Sequence, residues 1–235
     1  MSISTNTVKI CSLRQPVHAQ YVAEAGADLF GLIFAEARRQ VMPLVAREIV
    51  AEARRLDSRL RAVGVFVDHR ADDINLIADQ VGLDLVQLHR PDVVVDGGHI
   101  ERPVLLVIHT GPATTPESVS SAATAIVESG SLLAGIMVDG FKAGSQGGTG
   151  TKADWALARE LAKIYPLILA GGLNAENVGG AIESVVPAGV DVSSGVETDA
   201  EKDRAKIIAF VREARAAFES DSFGRVDVVP LGQSA

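Results

Sequence analysis

The stretch Val8-Lys9-Ile10-Cys11-Ser12-Leu13-Arg14-Gln15-Pro16 decides between two ways of folding this chain. It opens as a short apolar run and passes at Cys11 into a polar turn. An open, doubly wound α/β sheet wants a Gly-x-Gly-x-x-Gly turn after its first strand, so that backbone can approach a dinucleotide. The turn here is Cys-Ser-Leu-Arg-Gln-Pro, without a glycine. A closed barrel of strands makes no such demand.

The same alternation continues along the chain. Short apolar runs occur at Val8–Cys11, Leu29–Phe34, Ala62–Val67, Leu85–His89, Val104–His109, Leu132–Asp139, Leu167–Ala170 and Gly189–Ser193. Helix-like segments separate them at Val17–Ala25, Pro43–Leu56, Ala71–Val81, Pro116–Glu128, Trp155–Ile164, Ala175–Val185 and Asp199–Phe218. Glu48–Leu56 is the clearest of these, since its Ala, Glu, Arg and Leu are strong helix formers. Strand alternating with helix implies right-handed crossovers and a parallel sheet. Eight such units in about 215 residues fit a (β/α)8 TIM barrel. Only the segment between the fourth and fifth runs, with Asp-Val-Val-Val-Asp-Gly-Gly-His, makes a poor helix. The expectation is therefore a single α/β barrel domain over 8–218 with an abbreviated fourth helical unit. Residues 1–7 form an N-terminal extension and 219–235 a C-terminal tail.

Composition supports this and narrows the function. Apolar residues are 47% of the chain and aromatics 4%, so Val, Ile, Leu and Ala build the core, as suits strands buried on both faces. Lys and Arg number 22 against 30 Asp and Glu, a net charge of −8 without a basic stripe, which argues against nucleic acid as a partner. No apolar run approaches the roughly 20 residues that cross a bilayer, and the first residues lack a secretory pattern. A single cysteine forms no internal disulfide, and the five scattered histidines show no metal-site spacing. A cytoplasmic protein without metal, membrane or nucleic-acid partner is expected, as a monomer or homodimer.

Barrels of this kind place their site at the carboxyl ends of the strands. Strand one ends there at Cys11, strand four at Gln87 and His89, and strand six at Asp139. Strand seven runs into Gly171, Gly172 and Asn174, the last placed to cap a helix starting at Ala175. Strand eight runs into Ser193, Ser194 and Gly195. Such turns on the last two strands form the usual phosphate site of barrels, whereas a single glycine turn would indicate only a tight bend. Cys11 is either a small buried hydrophobe or a reactive thiol at that rim. Asp139, closing an apolar run, is either a capped or paired aspartate or one that is used chemically. The glycine-bearing stretch 141–151 is either a lid over a substrate or a surface loop.

Taken together, Lys-Ile-Cys (9–11), Gly-Ala-Asp-Leu-Phe-Gly-Leu-Ile-Phe (26–34), Val-Gln-Leu-His (86–89), Gly-Gly-Thr-Gly-x-x-x-Asp-Trp (147–155), Leu-Ile-Leu-Ala-Gly-Gly-Leu-Asn-x-Glu-Asn-Val (167–178) and Gly-Val-Asp-Val-Ser-Ser-Gly-Val-Glu (189–197) resemble the phosphoribosylanthranilate isomerase family of tryptophan biosynthesis. The resemblance runs from about Lys9 to Arg212. It implies a cofactor-independent Amadori rearrangement of a small phosphorylated substrate, with Cys11 as general base and Asp139 as general acid. It further implies that Arg39, Gln87, His89 and Asp191 bind substrate, and that Gly171, Gly172, Ser194 and Gly195 bind its phosphate. The chain departs from the family pattern at Ser12, Arg90 and Thr151–Ala153, and ends strand five in Ile-His-Thr-Gly-Pro (108–112), where the family tends to place a lysine. An isomerase of another phosphorylated aminosugar, or a non-catalytic sugar-phosphate-binding barrel, are the alternatives.

Overall fold

The computed structural model describes residues 2–90, 98–111, 113–139 and 152–220, with the side chains of 152–154 left aside. The expected lid at 141–151, the centre of the fourth unit and nearly all of the tail lie outside these residues.

Eight parallel strands close into a barrel in sequence order: β1 (Thr7–Ile10), β2 (Leu29–Ile33), β3 (Arg61–Phe66), β4 (Leu85–Leu88), β5 (Val104–His109), β6 (Leu133–Asp139), β7 (Leu167–Ala170) and β8 (Gly189–Val192). The barrel closes where β1 pairs with β8, with Lys9 beside Asp191. Outside it lie seven described helices: α1 (Pro16–Ala25), α2 (Pro43–Leu56), α3 (Ala71–Val81), α4 (Pro116–Glu128), α5 (Lys152–Ala162), α6 (Val178–Val185) and α7 (Arg204–Glu219). The described residues between β4 and β5 contain no helix.

Side-chain alternation sorts each strand into two cores. Outward residues such as Val8, Ile10, Phe30, Leu32, Val190 and Val192 pack under the helices. Inward residues such as Leu29, Val63, Leu85, Leu105, Met137 and Ile168 fill the barrel. Each fully buried aliphatic side chain contributes about 1.5–3 kcal/mol, and burial on both faces is why the strands read as nearly unbroken apolar runs. Ile3 plugs the amino-terminal mouth, and its N–H donates to Ala134 O. The period-two pattern also sends Lys9, Cys11, Gln87, His89, Asp139 and Asp191 inward, so the chemistry lies on the barrel's inner face.

Local signals explain several helix ends. Proline stands at the start of α1, α2 and α4, where a missing N–H costs nothing. Gly26 and Gly82 end α1 and α3 in the left-handed conformation.

Two expectations are corrected. Helix α6 begins at Val178 rather than Ala175. Asn174 instead holds the preceding turn, its Oδ1 accepting from the N–H groups of Glu176 and Asn177. The last helix begins at Arg204 rather than Asp199, capped by Asp203 accepting from the N–H groups of Ala205 and Lys206. Residues before it form a short antiparallel ribbon, β9 (Glu197–Thr198) and β10 (Glu201–Lys202), turning through Asp199 and Ala200 at positive φ. That turn folds Glu197 and Lys202 back onto the barrel rim.

Candidate active site

A cavity of about 220 Å3 opens at the carboxyl ends of the strands. Cys11, Gln87, His89, Asp139 and Asp191 line it from strands β1, β4, β6 and β8. Gly171, Gly172, Ser194 and Gly195 close one end. Of the expected catalytic, substrate-binding and phosphate-binding residues, Arg39 alone does not line it.

Cys11 is 6% exposed, and its N–H bonds Val192 O at 2.8 Å. The space for its sulfur exists because β2 carries glycine at position 31. A Cβ there would sit 2.6 Å from Cys11 Sγ and 3.2 Å from Lys9 Nζ. Ser12, at φ 70°, turns the chain away from the strand and shares a 2.8 Å hydrogen bond with Ser193. Asp139 ends β6, paired in register with His109 on β5 and half-buried. Along the shorter way round the barrel only β7 and β8 stand between the strands of Asp139 and Cys11.

Asp191, nearly buried, is held by Lys9 Nζ at 2.8 Å from Oδ1. Burial works against the Lys9 ammonium, but the Asp191 carboxylate and the Cys11 sulfur outweigh it and hold its pKa above the ordinary lysine value. On the opposite wall, Gln87 Nε2 lies 3.2 Å from His89 Nε2, and His89 Nδ1 lies 3.1 Å from His109 Nε2. Burial, with smaller contributions from His109 and Lys9, pushes His89 down to about 4. It is therefore a neutral imidazole near pH 7, bonded at both nitrogens. Gln87 Oε1 is buried without a hydrogen-bond partner.

Arg39 stands behind the rim. Its Nε and Nη2 donate to the two oxygens of Glu197 at 2.9 and 2.6 Å. Lys202 Nζ also bonds Glu197, at 2.9 Å, and the carbonyl of Ser193 at 2.9 Å. Burial tends to raise the Glu197 pKa, but these two cations draw it below the ordinary glutamate range.

The glycine end is built by close backbone contact. Gly171 and Gly172 adopt φ values of 93° and 67°, and Asn177 Nδ2 donates to Gly172 O. A Cβ on Gly195 would lie 1.9 Å from the Leu173 carbonyl oxygen, so only glycine lets the turns after β7 and β8 meet. Among the described residues no group of three or more His, Cys, Asp or Glu side chains is placed to hold a metal ion. None of the described helices is long and apolar enough to cross a membrane.

Sequence reasoning passed over Lys9, Glu197 and Lys202. Lys9 carried a signal, since a lysine two residues before an inward cysteine on an apolar strand faces inward with it. Lys202 lies in the stretch from Asp199 that the periodicity assigns to a helix, and Glu197 on the partner strand of the ribbon just before it.

Residues 8–213 match the family described as N-(5'-phosphoribosyl)anthranilate (PRA) isomerase. An N-(5'-phosphoribosyl)anthranilate isomerase of Roseiflexus castenholzii is 42% identical over 215 residues, covering 89% of this chain and 98% of the relative. The crystal structure of phosphoribosyl anthranilate isomerase from Thermotoga maritima superposes with a TM-score of 0.73 at 31% identity, covering 89% of this chain and 98% of that one. A further structure of the enzyme, in complex with reduced 1-(o-carboxyphenylamino)-1-deoxyribulose 5-phosphate, gives a TM-score of 0.69 at 30% identity with the same coverage. A barrel with this rim, matched along nearly its whole length, belongs to the N-(5'-phosphoribosyl)anthranilate isomerase family.

Proposed function

We propose that the protein converts N-(5'-phosphoribosyl)anthranilate into 1-(2-carboxyphenylamino)-1-deoxyribulose 5-phosphate, with Asp139 as general acid and Cys11 as general base. The observation that carries this reading is that a thiol and a carboxyl group line one cavity whose end is two glycine turns. It lies in a chain of the matching family.

Asp139 delivers a proton to the ring oxygen, the C1′–O bond breaks, and the nitrogen lone pair forms a C1′=N iminium. The iminium acidifies the C2′ proton, which the Cys11 thiolate removes to give an enolamine. Loss of the C2′ hydroxyl proton and protonation at C1′ complete the aminoketose. Hydrogen moves within the substrate, so the balance needs no external oxidant or reductant. The turns at Gly171, Gly172, Ser194 and Gly195 hold the phosphate by backbone N–H groups, an interaction equal in ground and transition states. Asp191, fixed by Lys9, faces the anthranilate-bearing part, and Gln87 and His89 form the wall beside it. Arg39 serves from behind through Glu197.

The test is turnover by the purified protein. Loss of the anthranilate-adduct fluorescence with formation of the deoxyribulose product supports the reading. A folded protein that binds phosphate but forms no product contradicts it.

A further inference from the structure

Lys9 is wholly buried, and a buried ammonium persists only with compensation. Asp191 supplies one partner, but the ammonium also faces the same bare Cα of Gly31 as the Cys11 sulfur does. Two further cations lie within electrostatic reach of that sulfur: Lys202 on the β9–β10 ribbon and Arg39 behind the rim. The carboxylates among them are Asp191, on Lys9, and Glu197, shared by Arg39 and Lys202. From the remaining walls come Asp139 and the neutral His89. Of these cations the Lys9 ammonium is the one that shares the Gly31 contact with the chain's single thiol.

We infer that Lys9 is a positioning residue whose buried ammonium, packed beside the sulfur against Gly31, keeps Cys11 as a thiolate while fixing Asp191 by one oxygen. This deepens the proposed reaction and rests on Cys11 being its base. The ammonium is a fixed counter-ion. It stabilises the sulfur anion before substrate arrives, without a neighbouring general base to deprotonate it.

Cys11 is the only cysteine, so alkylation of the full chain by iodoacetamide, followed by intact mass across pH, reports this sulfur alone. Lys9→Met should move the midpoint of the rate–pH curve upward by about one pH unit or more and slow alkylation near neutral pH about tenfold. Glu197→Gln, which removes the negative charge shared by Arg39 and Lys202, should move it downward. Shifts of opposite sign are not produced by general loosening of the barrel. A folded Lys9→Met with an unmoved midpoint overturns the inference. Should Lys9→Met fail to fold, Glu197→Gln decides: a downward shift supports the inference, and no shift or an upward one overturns it. Shifted midpoints together with full turnover by Cys11→Ala would sink the acid–base reading and leave the counter-ion standing. Unmoved midpoints with an inactive Cys11→Ala would do the reverse.

Discussion

Arg39 grips Glu197 through two nitrogens across 158 residues of sequence, at 2.9 and 2.6 Å. This pair ties the loop after β2 to the ribbon after β8, closing the rim behind Cys11. The Glu197 side chain is 6% exposed and also holds Lys202, so replacing it strands two cations at once. Glu197→Ala should cost about 3 kcal/mol, read by urea unfolding. The sign with pH follows from its depressed pKa. The stabilisation is present above the unfolded glutamate value of about 4.3 and is lost as pH falls through the lower folded value. Acid unfolding of the wild type should therefore be steeper in this range than that of Glu197→Gln.

His89 gives a second pH signature. Its pKa lies at about 4 because of burial first and His109 second. Folding thus disfavours its protonated form. Its stabilisation is full above the unfolded histidine value of about 6.5 and falls away as pH drops from there towards 4. Imidazole NMR signals of His89 should remain those of the neutral ring down to about pH 5. Titration near 6.5 would contradict the Gln87–His89–His109 chain.

Gly195 tests the phosphate end. A methyl group there meets the Leu173 carbonyl at 1.9 Å, and backbone cannot yield as a flexible side chain does. Gly195→Ala should raise KM about tenfold or more and weaken inorganic phosphate binding, with a smaller effect on kcat. An unchanged KM would remove these turns from substrate binding.

Gly31 tests the placement of the thiol. Gly31→Ala puts carbon 2.6 Å from Cys11 Sγ and 3.1 Å from its Cα, so the sulfur must move. A shift of this size should lower kcat by about 100-fold, while the barrel loses only about 1–3 kcal/mol of stability. Steady-state kinetics beside urea unfolding separates the two effects.

The fold was legible because every strand is buried on both faces and therefore advertises itself as an apolar run. The rim was legible for a related reason: a barrel's polar residues at strand ends have one place to converge, as Cys11, Gln87, Asp139 and Asp191 do on one cavity. What escaped was set by distance in sequence. The ribbon at 197–202 is held by Arg39, Arg14 and the Ser193 carbonyl, and local periodicity carries no trace of such partners. Asn174 looked like a cap because its chemistry suits one; the turn simply uses its oxygen four residues before the helix. Lys9 was written in a motif that drew attention to its neighbour Cys11 instead.

The central claim is that the sulfur of Cys11 and the carboxyl of Asp139 move the two protons of one rearrangement. Single-turnover fluorescence of the anthranilate adduct, with wild type, Cys11→Ala and Asp139→Asn, measures this most directly. The account predicts a fall in the chemical step of at least about 100-fold in each variant, with phosphate-ligand binding retained. Either variant turning over at close to the wild-type rate would contradict it.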